Sequence, residues 1–226
     1  MLLAIDTSTG IASVALYNGE VVAEHTWHAG INHSVELLPT VQAMMAQAHV
    51  TPKDLTGVAA ATGPGSFNGL RVGLASAKLL SYTLQIPIVG VGTLEAMAYP
   101  YVFTGLSVRP LIEAGQGQVA TAVYRKDEDA WQEIEAPRLA TITELVGEIG
   151  GSSVVCVEVR REWVEELRAR VGEKVVLLGP ANCLRRAGYL AEVGWDRIRS
   201  GHTDDPTSLQ ALYLRRPTPV RLETGV

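Results

Sequence analysis

Cysteine is almost absent from this 226-residue chain, with Cys156 and Cys183 the only two. One falls in an apolar, strand-like run and the other at the start of a helical pattern. That excludes a disulfide framework and a cysteine-based zinc site, and leaves both as reduced bystanders. Long apolar runs are missing too: nothing approaches the roughly 18 residues that span a bilayer, and no basic leader precedes the strand pattern at Met1 to Asp6. The expectation is no membrane contact and a cytoplasmic location. A concentrated positive face is also lacking. With a formal net charge of -5, the chain is expected to meet nucleic acid only indirectly, because neutralising phosphates takes clustered Lys and Arg.

Several chemical motifs are missing as well. His25, His28, His33, His49 and His202 form no H-E-x-x-H or H-x-x-x-H pair, so no metal ligands are assigned. No Gly-Lys-Ser/Thr, no G-x-G-x-x-G and no G-x-S-x-G occurs, which excludes a Walker loop, a dinucleotide fingerprint and a nucleophile elbow. His33, next to Ser34 at a helix start, reads as a capping-region residue. No catalytic residue is assigned.

What is present is ordinary globular material, 47% apolar and 19% charged, enough for one large domain or two small ones. Residues 2 to 6, 11 to 17 and 20 to 27 read as an antiparallel meander, turned at Asn18-Gly19. A helix from Ser34 to His49, kinked or begun at Pro39, precedes a strand at 57 to 62, a helix at 66 to 84, a strand at 86 to 91 and a helix at 93 to 98. The pattern then starts again. Ile5 to Tyr17 aligns with Ile112 to Tyr124, matching Ile, Gly, Ala and Tyr and pairing Asp6 with Glu113. A third strand at 130 to 136 follows, then a helix at 142 to 149, a strand at 153 to 159, a helix at 161 to 171, a strand at 174 to 178 and a helix at 181 to 193. A short element is expected at 208 to 214. Two meanders, each followed by α/β elements, predict a duplicated α/β fold with a cleft between subdomains 1-104 and 105-226. Arg160, Arg161, Arg168, Arg170, Arg185, Arg186, Arg197, Arg199, Arg215, Arg216 and Arg221 all lie in the last third, and their alternation with Glu reads as a solvated helical surface.

Two loops are candidates for binding. Asp6, Thr7, Ser8, Thr9 and Gly10 close the first strand. Such a turn can hold a hydrated Mg²⁺ and offer N–H groups to a phosphate, or can simply be a polar hairpin with Asp6 bonded locally. Gly63, Gly65 and Ser66 join a strand to a helix N-terminus, a geometry that serves an anion or a partner, or serves tight packing. The helix that follows is apolar nearly all round and needs cover on more than one side. With Leu38, Met44 and Met45 from the preceding helix, residues Phe67, Asn68, Leu70, Arg71, Leu74, Ala75, Lys78 and Tyr82 are the expected interface with another chain.

The segments Ile5-Asp6-Thr7-Ser8, His33 to Pro39, Gly63 to Gly73, Pro87 to Val91 and Leu94-Glu95-Ala96 resemble, in order and spacing, the signature of the TsaB (YeaZ) family. The resemblance covers residues 1 to about 100 and is thin beyond them. It implies an actin/Hsp70-like (ASKHA) architecture, two subdomains with mixed sheets and a duplicated ribonuclease H-like fold. It also implies a non-catalytic subunit that pairs with its paralogue TsaD, with the TsaE ATPase as a third component, in threonylcarbamoyl transfer to adenosine 37 of ANN-decoding tRNAs (t6A). The chain alone would form a homodimer and meet tRNA only through TsaD. It would require no cofactor, with ATP or ADP possible in the complex. The family usually has Thr where Asn68 stands, and Ile-Asp-Ala-Arg-x-Gly-Glu where this chain has Ile112 to Gln118. A stand-alone kinase or ATPase of the same superfold is the alternative. It would need a carboxylate base and a complete adenosine site in the second half.

Overall fold

The computed structural model describes residues 1–127 and 130–215. Five strands, β1 (Leu2–Asp6), β2 (Ile11–Tyr17), β3 (Val21–His28), β4 (Gly57–Gly63) and β5 (Ile88–Gly92), form a sheet of order β3-β2-β1-β4-β5. Five more, β6 (Ser107–Glu113), β7 (Val119–Asp127), β8 (Ala130–Ala140), β9 (Ser153–Glu158) and β10 (Val175–Leu177), form a second sheet of order β8-β7-β6-β9-β10. The order is the same in both. In each, the first strand pairs antiparallel with the second and parallel with the fourth. The central strand β1 is buried on both faces, which is why Leu2-Leu3-Ala4-Ile5 is an unbroken apolar run.

Helices α1 (His33–Gln47) and α2 (Phe67–Leu84) cover one face of the first sheet, packing Leu37, Val41, Met44, Met45, Leu74 and Ala77 onto Leu3, Ile5 and Val14. Pro39 lies inside α1 rather than in its first turn. Helices α4 (Ile142–Glu148) and α5 (Arg161–Arg170) place Leu145 and Leu167 in the core of the second half. The remaining helices are exchanged. Helix α3 (Thr93–Ala98), from the first half of the chain, sends Leu94, Met97 and Ala98 into the second core, while α6 (Ala187–Arg199) lays Leu190, Ala191 and Val193 on the first sheet. Close approach is what Gly194 permits: a Cβ there would stand 2.6 Å from Ala59 Cβ. A segment that the sequence groups with residues 105-226 therefore packs on the sheet of residues 1-104.

Two expected elements differ. The helix placed at 181 to 193 is a short 3₁₀ turn at Pro180–Cys183, an extended stretch, and then α6 beginning at Ala187. The extended stretch carries the side chain of Arg185 inward, and the Ala187 N–H then donates to Ser13 Oγ at 2.9 Å. Residues 208 to 214 form no regular element, because their backbone follows the end of the first sheet instead: the Leu212 N–H donates to the Thr62 carbonyl at 2.7 Å. On α5, Arg161 and Arg170 pair with Glu165 and Glu166 one turn away, as a solvated helical face should. Arg216 and Arg221 lie outside the described residues.

Candidate functional site

The carboxyl ends of β1 and β4 face those of β6 and β9 across a cavity of about 740 Å³, lined by Thr9, Gly10, Gly65 and Ser66 from one half and Glu113 and Glu158 from the other. Crevices at such strand ends are where open α/β sheets bind ligands. Here the first strand's carboxylate is already taken. Asp6 is 2% exposed. Its Oδ1 accepts from the Ser8 N–H at 2.8 Å and the Ser8 hydroxyl at 2.6 Å, and its Oδ2 accepts from Arg185 Nε at 2.9 Å. The rest of that guanidinium is equally occupied: Nη1 donates to Glu158, and Nη2 donates to Thr9 Oγ1 at 2.8 Å and to the Ile11 carbonyl at 3.2 Å. The Thr9 hydroxyl donates to Glu158 in turn. Burial pushes the Glu158 carboxyl upward against the opposing pull of Arg185, and burial of Arg185 is outweighed by Asp6 and Glu158, which hold it firmly charged.

The glycine loop serves packing. A Cβ on Gly65 would lie 2.1 Å from the Ser8 carbonyl oxygen, one on Gly69 2.1 Å from that of Thr7, and one on Gly73 2.3 Å from Thr7 Oγ1. Helix α2 thus enters within backbone contact of the turn after β1, and Thr7 Oγ1 donates to the Gly69 carbonyl at 2.7 Å. Gly63, with φ of +105°, lies beneath Leu212, whose carbonyl oxygen would be 2.8 Å from a Cβ there. Ser66 caps α2 by accepting from the Gly69 N–H at 3.3 Å, and its own N–H donates to Ser8 at 2.6 Å. Of the seven loop residues named from sequence, Asp6, Thr7, Ser8 and Gly63 are sealed into the fold, while Thr9, Gly65 and Ser66 reach the cavity.

The outer face of α1 and α2 is different in kind. Leu38, Asn68, Arg71, Ala75 and Tyr82 are exposed, and Phe67 and Lys78 are half-buried. Phe67 lies against the Tyr213 ring at 5.1 Å between centroids, with the Arg71 guanidinium over it at 4.3 Å. Met44, Met45, Leu70 and Leu74 are corrections to the expected interface: all four are buried in the chain's own core. Ile31, Val35 and Leu79, not among the interface residues expected from the sequence, are exposed, as are Leu38 and Tyr82. A helical wheel carries the signal for Val35, which stands three positions before Leu38 and away from inward-facing Leu37 and Val41.

A family model described as "TsaD: tRNA N6-adenosine threonylcarbamoyltransferase" matches residues 21–178. Relatives named tRNA threonylcarbamoyladenosine biosynthesis protein TsaB share its sequence. The one from Bacillus subtilis is 39% identical over 126 residues, 55% of each chain. That from Escherichia coli is 36% identical over 130 residues, 57% of this chain and 56% of its own. The chain belongs to the TsaB (YeaZ) family. It spans about half the length of those two relatives, whereas a Haemophilus influenzae TsaB aligns over 95% of this chain and 93% of its own length at 27% identity. In fold it matches YeaZ from Pseudomonas aeruginosa with a TM-score of 0.77 at 21% identity, covering 93% of this chain and 99% of that one. The duplicated α/β architecture is therefore the actin-like, ribonuclease H-like fold.

That fold implies a metal–nucleotide in the cleft, and the residues present do not fit one. Asp6 is buried, and both of its oxygens already accept hydrogen bonds, Oδ1 from Ser8 and Oδ2 from Arg185. The cavity wall has no Lys or Arg among its described residues, so a polyphosphate would meet Glu113 and Glu158 instead. The second-half turn is no substitute: Glu113 pairs with Arg160, and Gly115, Gln116 and Gly117 all take positive φ in an open loop. No cluster of metal-holding side chains occurs among the described residues.

Proposed function

We propose that this chain is a non-catalytic subunit of the t6A-forming machinery, one that binds a TsaD partner through the outer face of α1 and α2 and activates it. The observation that carries this reading is the contrast between a cleft whose Asp6 carboxylate is already paired with the chain's own Arg185 and a helix face left uncovered. Tyr82 is 70% and Leu79 62% exposed on α2, and Val35 is 68% exposed on α1. Large apolar side chains left exposed on two neighbouring helices are what a partner surface leaves behind when the partner is removed. A paralogue with corresponding helices would meet that face in a pseudo-symmetric pair, and a second copy of this chain would meet it in a two-fold homodimer, so the two assemblies exclude one another. TsaE joins the pair as its ATPase, and tRNA is held by TsaD. A role in t6A biosynthesis is supported by the names of the relatives and by the family model. The chemistry then resides in TsaD, and this chain acts in the cytoplasm as its scaffold.

The test combines the TsaD partner, TsaE and tRNA with and without this chain and follows threonylcarbamoyl incorporation. Incorporation is expected only in the full mixture, with none from this chain alone. Transfer or ATP hydrolysis by the chain alone, above background, overturns the reading. So does full activation by a folded Leu79→Asp/Tyr82→Asp variant.

A further inference from the structure

The cleft supports a conclusion independent of the helix face. Asp6 closes the central strand of one half and Glu158 closes β9 of the other, and both carboxylates touch one guanidinium. Arg185 is 2% exposed at its side chain, and the backbone on either side of it is extended, interrupting what the sequence reads as a continuous helix. Every polar contact made by this group is to an oxygen: two carboxylates, the Thr9 hydroxyl and the Ile11 carbonyl. Oxygens of those kinds also compose a hard divalent-cation site.

We propose that Arg185 is the cleft's resident cation, held from within the chain between the carboxylates of the two halves, where an exogenous divalent ion would otherwise stand. A guanidinium stays charged at any working pH and presents a planar fork that two carboxylates can share. The cleft consequently keeps a fixed positive charge between its two carboxylates at all metal concentrations and at all stages of any nucleotide cycle. The two halves are also joined at their strand ends by a permanent ionic bond instead of one that forms and breaks with ligand. The same exchange explains why the cleft does not fit a metal–nucleotide: its cation position is occupied covalently. Removing the guanidinium leaves Asp6 and Glu158 as a pair of like charges around a space the size of the lost group, and such a pair recruits a cation.

The experiment compares the wild-type chain with Arg185→Ala, using Mn²⁺ as the probe. Free Mn²⁺ is read by electron paramagnetic resonance and Tm by scanning fluorimetry. Wild type is expected to bind no Mn²⁺. Arg185→Ala is expected to bind about one per chain, and its lowered Tm should rise by about 5 °C in millimolar Mn²⁺ or guanidinium, with no rise in NaCl of equal ionic strength. Adding Asp6→Asn to Arg185→Ala should abolish the Mn²⁺ response. Mn²⁺ binding by the wild type that is lost in Asp6→Asn overturns the proposal, as does a folded Arg185→Ala that NaCl restores equally or no ion restores. If Arg185→Ala is recovered only unfolded, it is refolded with Mn²⁺ and with a chelator. Recovery that depends on the ion supports the proposal, and recovery in neither condition overturns it. Loss of TsaD activation plays no part in these readouts, so this inference and the proposed function fail separately.

Discussion

The turn after β1 and the turn after β6 hold the same place in two sheets of identical order, yet only the first of them is buried. Asp6, Thr7 and Ser8 are all 2% exposed or less, every side-chain polar group among them is bonded within the protein, and Gly65 before α2 and Gly69 and Gly73 within it press close on Thr7 and Ser8. In the second turn Glu113 is exposed and paired at the surface with Arg160, and a Cβ on Gly117 would meet nothing within 4 Å. Duplication thus preserves strand order, which backbone pairing enforces, without preserving what the turn does. The first copy has become the joint of the molecule because α6 and the stretch before it return to it, carrying Arg185 across the cleft. The second copy is met instead by Arg215, which donates to the Ala114 carbonyl at 3.2 Å and to Gln118 Oε1, while Glu113, Gly115, Gln116 and Gly117 stay exposed.

The largest expected departure between the two turns comes from their arginines. Arg185→Ala leaves two buried or half-buried carboxylates unpaired and should lower unfolding free energy by about 3–5 kcal/mol, whereas Arg160→Ala should leave the urea midpoint unchanged. Equal midpoints for the two variants would erase the distinction. Next comes packing. Gly69→Ala drives a methyl group into the Thr7 carbonyl and should cost about 1–3 kcal/mol, while Gly147→Ala, on a helix of the second half with free space around it, should gain about 0.5–1 kcal/mol. Thermal unfolding of the pair measures both signs.

A third test concerns surface rather than stability. Leu79→Asp/Tyr82→Asp should keep the wild-type Tm and circular dichroism, since both side chains are mostly exposed, while sedimentation shows loss of self-association and of TsaD binding. The smallest effect sharpens the comparison by finding what the halves share. Each has a Thr-x-x-acid capping box, Thr51 with Asp54 and Thr141 with Glu144, and each acid is held below the usual carboxylate range by hydrogen bonds from its threonine. A lowered folded-state pKa contributes stability that is present above the ordinary carboxylate value and lost as pH falls through the folded one. Glu144→Gln should therefore flatten part of the fall in Tm on acidification and change little at neutral pH, as followed by melts from pH 7 downward.

The apolar alternation of the meanders, their repetition, and the Gly and Pro punctuation made the two sheets and all but one helix readable in advance, because those signals act over a few residues. The family signature was legible for the same reason, being concentrated in β1, the α1 start and the glycine loop. Arg185 was not. It stands in a run of arginines that composition reads as solvated, and nothing local distinguishes a guanidinium bound for the cleft from its neighbour Arg186, which pairs with Glu24 at the surface. The methionines misled in the opposite direction: Met44 and Met45 suggested an adaptable contact surface, and the sheet beneath α1 claimed both.

Period and punctuation in the sequence determined by themselves that this chain is a duplicated α/β protein with a glycine-lined helix entry, since strand burial and turn geometry follow from adjacent residues. Only the tertiary structure decided which carboxylate meets which arginine. Asp6 and Arg185 are 179 positions apart, and Arg185 and Glu158 are 27 apart. A buried charge takes its partner from whatever element the packing of α6 on the first sheet brings within reach, and that choice is written in the fold of the whole chain and in no local stretch of it.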